Sequence, residues 1–256
     1  MKRYIILFIS VFYVLNIYSQ KVNYYQESTT GEDNLNAISN LGKSSSSGWA
    51  HAFDSRYEGV KGTPNLFHAF VPSFLLTSGQ EKYIQFESDL DLLKNTVMFI
   101  DPSTGKLMEI SSDNVAELIF VKYDNEFIYK TTKGMKFDKK IRENKFCQVL
   151  YEGPYRLIMI PLKTFIKADY EPAFNSGRHY DEYRSERKFY LEDSRGTFHH
   201  VILNKIEYNC LVHPTQLDKK SLAKLFPDKK ELIYKEFEEK PDSVNVERII
   251  SILKKF

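Results

Sequence analysis

The chain has 256 residues, of which 42% are hydrophobic and 14% aromatic, and its formal net charge is +2. This length suffices for one large domain or two small ones, and the aromatic and β-branched content favours strands. Of the 36 basic residues, Lys2 and Arg3 lie in the first 20 positions, so the rest of the chain has 34 basic and 34 acidic residues. This balance excludes bulk attraction to nucleic acid or to an anionic membrane.

Residues 1–19 have the layout of a secretory signal peptide. Lys2 and Arg3 precede the apolar run YIILFISVFYVL, and Ser19 is a small residue at the position before a cut. The run has 12 residues, whereas a membrane span needs about 20. We therefore predict cleavage after Ser19 rather than an uncleaved anchor. The mature protein is expected to be exported, periplasmic or extracellular, with no transmembrane span.

Residues 20–48 follow the leader and contain many Asn, Ser and Gly residues without any apolar period. Such a composition is typical of an irregular segment. We predict a flexible polar lead-in here.

Residues 49–212 are predicted to form a β-rich domain. Short apolar runs alternate with turn signals such as DPSTGK and Gly153-Pro154 at spacings that favour antiparallel pairing. The predicted strands are KYIQFE (82–87), TVMFI (96–100), LMEI (107–110), VAELIFVKY (115–123), FIYKTT (127–132), FCQVLYE (146–152), YRLIMIPLKTFIKADY (155–170), KFYLE (188–192) and FHHVILN (198–204). Pro161 predicts an edge or a bulge. The expected architecture is an antiparallel sandwich or a strongly curved sheet.

Residues 213–256 are predicted to be a helical segment that packs on the sheet. Two helices are expected in DKKSLAKLF and PDKKELIYKEFEEK, and a third in PDSVNVERIISILKKF. In the third, Val246, Ile249, Ile250 and Leu253 form one apolar stripe, with Asp242 or Ser243 as the N-cap. The fold class is therefore mainly β, with two to three short C-terminal helices (α+β).

Four segments resemble a group of uncharacterised exported proteins of Bacteroidota. They are KGTPNLFHAFVPSFLLTSGQ (61–80), YIQFESDLDLLKNTVMFIDPSTGKLMEI (83–110), CQVLYEGPYRLIM (147–159) and KKSLAKLFPDKKELIYKEFEEK (219–240). The resemblance departs from the group at FESDLDLLKN, where the group has a Tyr-Asp pair. The resemblance implies export and a sheet followed by C-terminal helices, and it implies no particular activity.

The sequence contains none of the common catalytic or nucleotide-binding motifs. Adjacent His199 and His200 on a strand point to opposite faces and do not share one ion, so we predict no metal and no cofactor. Asp89 and Asp91 are expected to lie in a solvated turn. Cys147 and Cys210 are the only cysteines, and they form either one disulfide or two buried thiols.

The stretch GRHYDEYRSERKFYLED (177–193) holds the candidate contact surface. KFYLE is predicted to be a strand, and GRHYDEYRSER an exposed connection leading into it. Residues 178–188 have four basic and three acidic side chains, which excludes a nucleic-acid groove. Tyr180, Tyr183 and Arg184 are predicted to contact a partner.

These observations favour an exported, non-catalytic binding or adaptor protein of the cell envelope, whose partner is an envelope protein or a glycan. One alternative is an exported hydrolase with a site built from scattered His, Asp and Tyr residues. Another is a small-ligand carrier with an apolar cavity of about 300 Å³ or more. A deep pocket where His and carboxylates converge would contradict the binding protein, and a smooth surface with only charged edge loops would contradict the hydrolase.

Overall fold

The structure is a computed structural model that describes residues 28–43, 50–52, 60–139, 141, 144–169, 177–178, 180–202, 215–216, 218–239 and 245–256. Over these ranges the chain forms thirteen strands and four α-helices, three of them at the C-terminal end. The predicted fold class, mainly β with short C-terminal helices, is confirmed. The predicted signal peptide lies outside the described residues. None of the described helices is long and apolar enough to cross a membrane.

The strands belong to one large mixed sheet that does not close on itself. They are β1 (Ala50–Ala52), β2 (Val71–Thr77), β3 (Ile84–Asp91), β4 (Thr96–Ile100), β5 (Leu107–Ser111), β6 (Val115–Lys122), β7 (Asn125–Thr131), β8 (Lys136–Phe137), β9 (Phe146–Glu152), β10 (Arg156–Ile166), β11 (Glu182–Glu192), β12 (Thr197–Ile202) and β13 (Thr215–Gln216). Their spatial order is β1-β5-β4-β3-β2-β6-β7-β9-β10-β11-β12-β13, with β8 also beside β12. In this part of the chain only β8 and β13 run parallel to their neighbour.

The turn between β6 and β7 is as tight as a hairpin allows. Lys122 pairs with Asn125, so that Tyr123 and Asp124 alone form the loop. Their φ angles are 51° and 60°, as in a type I′ turn, where Asn-Gly is the preferred pair. A left-handed conformation costs most L-residues roughly 1–2 kcal/mol, whereas Asp adopts it more readily, so the strain of this turn lies mainly at Tyr123.

Residues 61–66 join two distant parts of the sheet. Lys61 forms a backbone bridge with Glu182 at the start of β11, and Asn65 forms one with Asp91 at the end of β3. Five strands separate β3 from β11 in the sheet order. Since four residues of extended chain span only about 13 Å, the sheet must bend back to bring both strands to this segment. Strong curvature, one of the two predicted architectures, therefore describes the sheet.

The segment predicted to be an irregular lead-in contains a helix, α1 (Gly31–Lys43). Its side chains are mostly polar, but Ile38 and Leu41 are buried in the core of the sheet's N-terminal half. Tertiary packing of two apolar residues on one face thus overrides a composition that indicates irregular structure. The prediction of a flexible segment is wrong for residues 31–43.

Three C-terminal helices cover the other half of the same sheet: α2 (Lys219–Leu225), α3 (Lys230–Glu239) and α4 (Val246–Leu253). The apolar side chains that join them to the sheet are Leu157, Met159, Phe189, Leu191 and Val201 from the strands, and Leu222, Phe226, Ile233, Ile249, Ile252 and Leu253 from the helical segment. Asn245 caps α4, since its side chain accepts the Arg248 N–H at 2.9 Å. Asp242 and Ser243, the predicted caps, lie outside the described residues.

Two predictions about β10 and β11 have different outcomes. Pro161 pairs with Arg187 of β11 and lies just beyond Met159, the last residue of β10 that pairs with β9, so β10 is at an edge on its β9 side here, as predicted. β11, however, begins at Glu182 and not at Lys188. The charged half of the strand was assigned to a connection because its side chains are mostly polar, but it pairs with β10 along its whole length.

Candidate functional site

A cleft of about 490 Å³ lies where the β11–β12 hairpin, the end of β8 and helix α2 meet. We call it the β12 cleft. Its lining residues are Asp138, Asp193, Ser194, Arg195, His199, His200, Val201, Ser221, Lys224, Leu225 and Pro227. On the outer side of β12, β8 pairs at residues 197–198 and β13 at residues 201–202. The two adjacent histidines therefore occupy the stretch of β12 between these short strands.

His199 lies between two carboxylates. Its Nε2 is 2.9 Å from Asp193 Oδ2, and its Nδ1 is 3.5 Å from Asp138 Oδ2. The hairpin turn fixes Asp193, whose Oδ1 accepts the backbone N–H groups of Arg195 and Thr197 at 2.8 and 2.9 Å. Partial burial opposes ionisation of Asp193, but the bonds from Thr197, His199 and Arg195 outweigh it and lower the pKa of the carboxyl. His199 thus faces a charged acceptor on each side.

His200 points to the opposite face of β12, as strand alternation predicts. Its ring lies 5.2 Å from the ring of Tyr190, to which it is paired across the sheet. Burial, followed by the charge of Lys188, lowers the pKa of His200, so its imidazole is neutral at pH 7. Within the described ranges no group of three His, Cys, Asp or Glu side chains is arranged to hold a metal ion.

The rest of the cleft is polar and carries both signs of charge. Exposed Arg195 and Lys224 supply cations opposite the Asp138 and Asp193 carboxylates. Only three of the eleven lining residues are apolar, namely Val201, Leu225 and Pro227. The volume exceeds what a lipid carrier needs, but the lining does not match the apolar cavity that such a carrier requires.

The predicted contact residues lie elsewhere, beside the segment that joins β11 to β3. Tyr180 is 45% exposed, and the Lys61 ammonium donates to its hydroxyl at 2.9 Å. Arg184 is exposed, and its Nη2 lies 3.1 Å from Glu182 Oε1. Tyr183 is only 8% exposed and packs against Phe165 with ring centroids 5.5 Å apart. Two of the three side chains are therefore accessible to a partner, and the contact surface itself stays a prediction.

Asp89 and Asp91 do not lie in a solvated turn, because their exposed fractions are 1% and 0%. Asp89 Oδ1 accepts the N–H groups of Phe67 and Leu90 at 3.0 and 2.8 Å, whereas Oδ2 has no hydrogen-bond partner in the described part of the chain. Burial raises the pKa of Asp89 despite these amide bonds. The sequence pattern placed both on one strand face but could not show that the 61–66 segment covers them.

Cys147 is fully buried and has no disulfide partner among the described residues, and its thiol donates to the Lys130 carbonyl at 3.4 Å. Burial raises its pKa to about 12. Cys210 lies outside the described residues, and a disulfide between the two stays a prediction.

No family model, no curated protein and no solved structure matches this chain. The resemblance to exported Bacteroidota proteins therefore stays a prediction.

The sequence analysis missed the grouping of Asp138, Asp193 and His199. One local signal for it exists, because Asp193 and Thr197 flank the DSRGT turn and His199 follows two residues later on the same face. No local pattern connects Asp138 to this pair, since the parallel pairing of β8 with β12 brings it there.

Proposed function

We propose that the protein is an exported, non-catalytic binding protein of the cell envelope and that its ligand occupies the β12 cleft. The proposal of export is supported by the basic start, the apolar run and Ser19 in the leader. The proposal of binding is supported by the cleft volume of about 490 Å³, which lies within the range of about 300–1,000 Å³ typical of small-molecule sites.

The lining favours a polar ligand with an anionic group. Arg195 and Lys224 are the cations of the cleft, whereas the Asp138 and Asp193 carboxylates already face His199. A carboxylate or phosphate on the ligand would therefore find the two cations available at the rim. Peptide ends and acidic glycan fragments of the envelope have this chemistry.

The observation that carries the non-catalytic assignment is the double contact of His199. A histidine that activates a nucleophile uses one nitrogen to orient itself and keeps the other for the proton it accepts. Both nitrogens of His199 lie 2.9 and 3.5 Å from carboxylate oxygens. His199 is therefore positioned to hold the hairpin, β12 and the end of β8 together.

The test is native mass spectrometry of the mature protein purified from the envelope fraction of the producing cells. The wild type is expected to retain a small-molecule mass that the Arg195→Glu/Lys224→Glu variant lacks. Lys235→Glu makes the same kind of charge change on α3, outside the cleft lining, and is expected to retain the mass. No retained mass in the wild type, or equal retention by the cleft variant, would contradict the proposal.

The second candidate function is an exported hydrolase, favoured by the presence of His199, His200, Asp138 and Asp193 among the residues that line one cleft. His200 is the base that suits it, because its imidazole is neutral at pH 7 and lies on the other face from the His199 contacts. Chromogenic esters, glycosides and phosphate esters are the substrates to test. Turnover that disappears in His200→Asn while the circular dichroism spectrum is unchanged would establish the hydrolase and displace the first proposal.

A further inference from the structure

The tip of the β6–β7 hairpin presents an aromatic ring to solvent. Tyr123 is 85% exposed, more than Leu35, Ile100 or Tyr180, which are the other large apolar or aromatic side chains exposed in the described part of the chain. Its ring makes no contribution to the core. The fold therefore gives no reason for an aromatic residue at this position.

The backbone at the tip makes the choice of residue more unusual. Tyr123 and Asp124 both have positive φ, a conformation that Asn and Gly adopt with less strain. A strained conformation that no packing repays is a feature of residues retained for contact with a ligand. The turn would form more readily without Tyr123, so the ring serves something other than folding.

Lys122 and Phe67 link the Tyr123 ring to the core of the sheet. The Lys122 ammonium lies 5.4 Å from the Tyr123 ring centroid and 4.8 Å from that of Phe67. Phe67 in turn packs edge-on against the buried Phe120, with centroids 4.9 Å apart. His68, next in sequence to Phe67, is exposed and also has a positive φ of 62°. We call Phe67, His68, Lys122, Tyr123 and Asp124 the hairpin-tip patch.

We propose that the hairpin-tip patch binds a neutral polysaccharide, with one sugar ring stacked on Tyr123. The small exposed area argues for a sugar, because the surface of one ring is far smaller than the roughly 800 Å² that each partner buries in a stable protein interface. The charge argues for a neutral one, because Lys122 and Asp124, the two neighbours of Tyr123 in the chain, carry one charge of each sign. These side chains both donate and accept hydrogen bonds, which suits the hydroxyl groups at the edge of a sugar.

This proposal is independent of the β12 cleft, whose residues belong to different strands and helices. The cleft is expected to take an anionic small ligand, whereas the tip is expected to take a neutral polymer. Failure of either experiment leaves the other proposal standing.

The test is affinity gel electrophoresis of the mature protein in native gels that contain laminarin, mannan, xylan or dextran. The variants are Tyr123→Asn, which removes the ring, and Ile100→Asn, which replaces an exposed apolar side chain at the end of β4, outside the patch. We expect wild type and Ile100→Asn to be retarded by at least one polymer, and Tyr123→Asn to lose at least tenfold in apparent affinity.

Urea unfolding of the same variants separates binding from folding. Tyr123→Asn places a better turn former at positive φ and is expected to raise the urea midpoint, whereas Ile100→Asn is not. A Tyr123→Asn protein that is more stable and no longer retarded supports the proposal. Absence of retardation of the wild type by all four polymers, or equal retardation of Tyr123→Asn, overturns it.

Discussion

The buried hydroxyl pair of Ser73 and Ser88 gives the sharpest prediction about the interior of the sheet. Both side chains are 0% exposed, and their Oγ atoms are 2.7 Å apart. Ser73 Oγ also donates to the Phe86 carbonyl at 2.8 Å. Since a hydroxyl has one proton, Ser73 uses its proton on Phe86, and Ser88 must donate to Ser73.

This direction makes the two alanine substitutions unequal. Ser73→Ala leaves the buried Ser88 O–H without its acceptor, and stranding such a group costs about 1–3 kcal/mol, so we expect a loss of about 2 kcal/mol. Ser88→Ala leaves Ser73 still bonded to Phe86 and is expected to cost about 1 kcal/mol. The double variant strands no hydroxyl and is expected to cost no more than Ser73→Ala alone.

The assay is urea unfolding followed by circular dichroism, with the free energy of unfolding compared in a double-mutant cycle. The expected coupling free energy is about 1 kcal/mol, because the double variant is more stable than independent losses would give. A larger loss for Ser88→Ala than for Ser73→Ala would refute the assigned donor direction. Additive losses would show that the pair is not coupled.

Three further predictions concern burial. Burial raises the pKa of Asp89 in the folded state above 3.8, so the folded state loses stability as the pH rises from 3.8 through this raised pKa. Asp89→Asn should therefore raise the urea midpoint at pH 7, and this gain should vanish below pH 3.8. Ile249 is 0% exposed, so Ile249→Ala should cost about 2–5 kcal/mol of unfolding free energy. Ile100 is 51% exposed, so Ile100→Ala should cost under about 0.5 kcal/mol. Equal losses in thermal melts would show that α4 is not part of the core. Burial raises the pKa of Cys147 to about 12, so the thiol should resist iodoacetamide in the native protein at pH 8. Mass spectrometry should find it labelled after unfolding without reductant. Absence of this label would indicate that Cys147 is paired with Cys210.

The sequence predicts strands best where an apolar run has turn signals on both sides. TVMFI and FCQVLYE have the predicted bounds, 96–100 and 146–152, because a turn follows each run directly, at DPSTGK and at Gly153-Pro154. The start of β11 was missed for the opposite reason. Its first residues are mostly polar and only Tyr183 among them is buried. They form a strand because they pair with the long β10.

Helix α1 and the β12 cleft show what a local pattern cannot contain. In α1 the packing of Ile38 and Leu41 against the sheet determines the structure, and that surface is far away in sequence. In the cleft, Asp138 and His199 are 61 positions apart and meet because β8 pairs with β12. The types of residue were visible in the sequence, but their neighbours depend on sheet order.

The open sheet also has a consequence for the way its edges are covered. A sheet that does not close exposes backbone groups at its two outer strands, and long flat edges of this kind recruit other chains. Here the strand order ends at β1 with three residues and at β13 with two, and β8 beside it also has two, over the part of the chain that the structure describes. Along β12, β8 covers residues 197–198 and β13 covers residues 201–202, so β12 itself is not left as a bare edge at these positions.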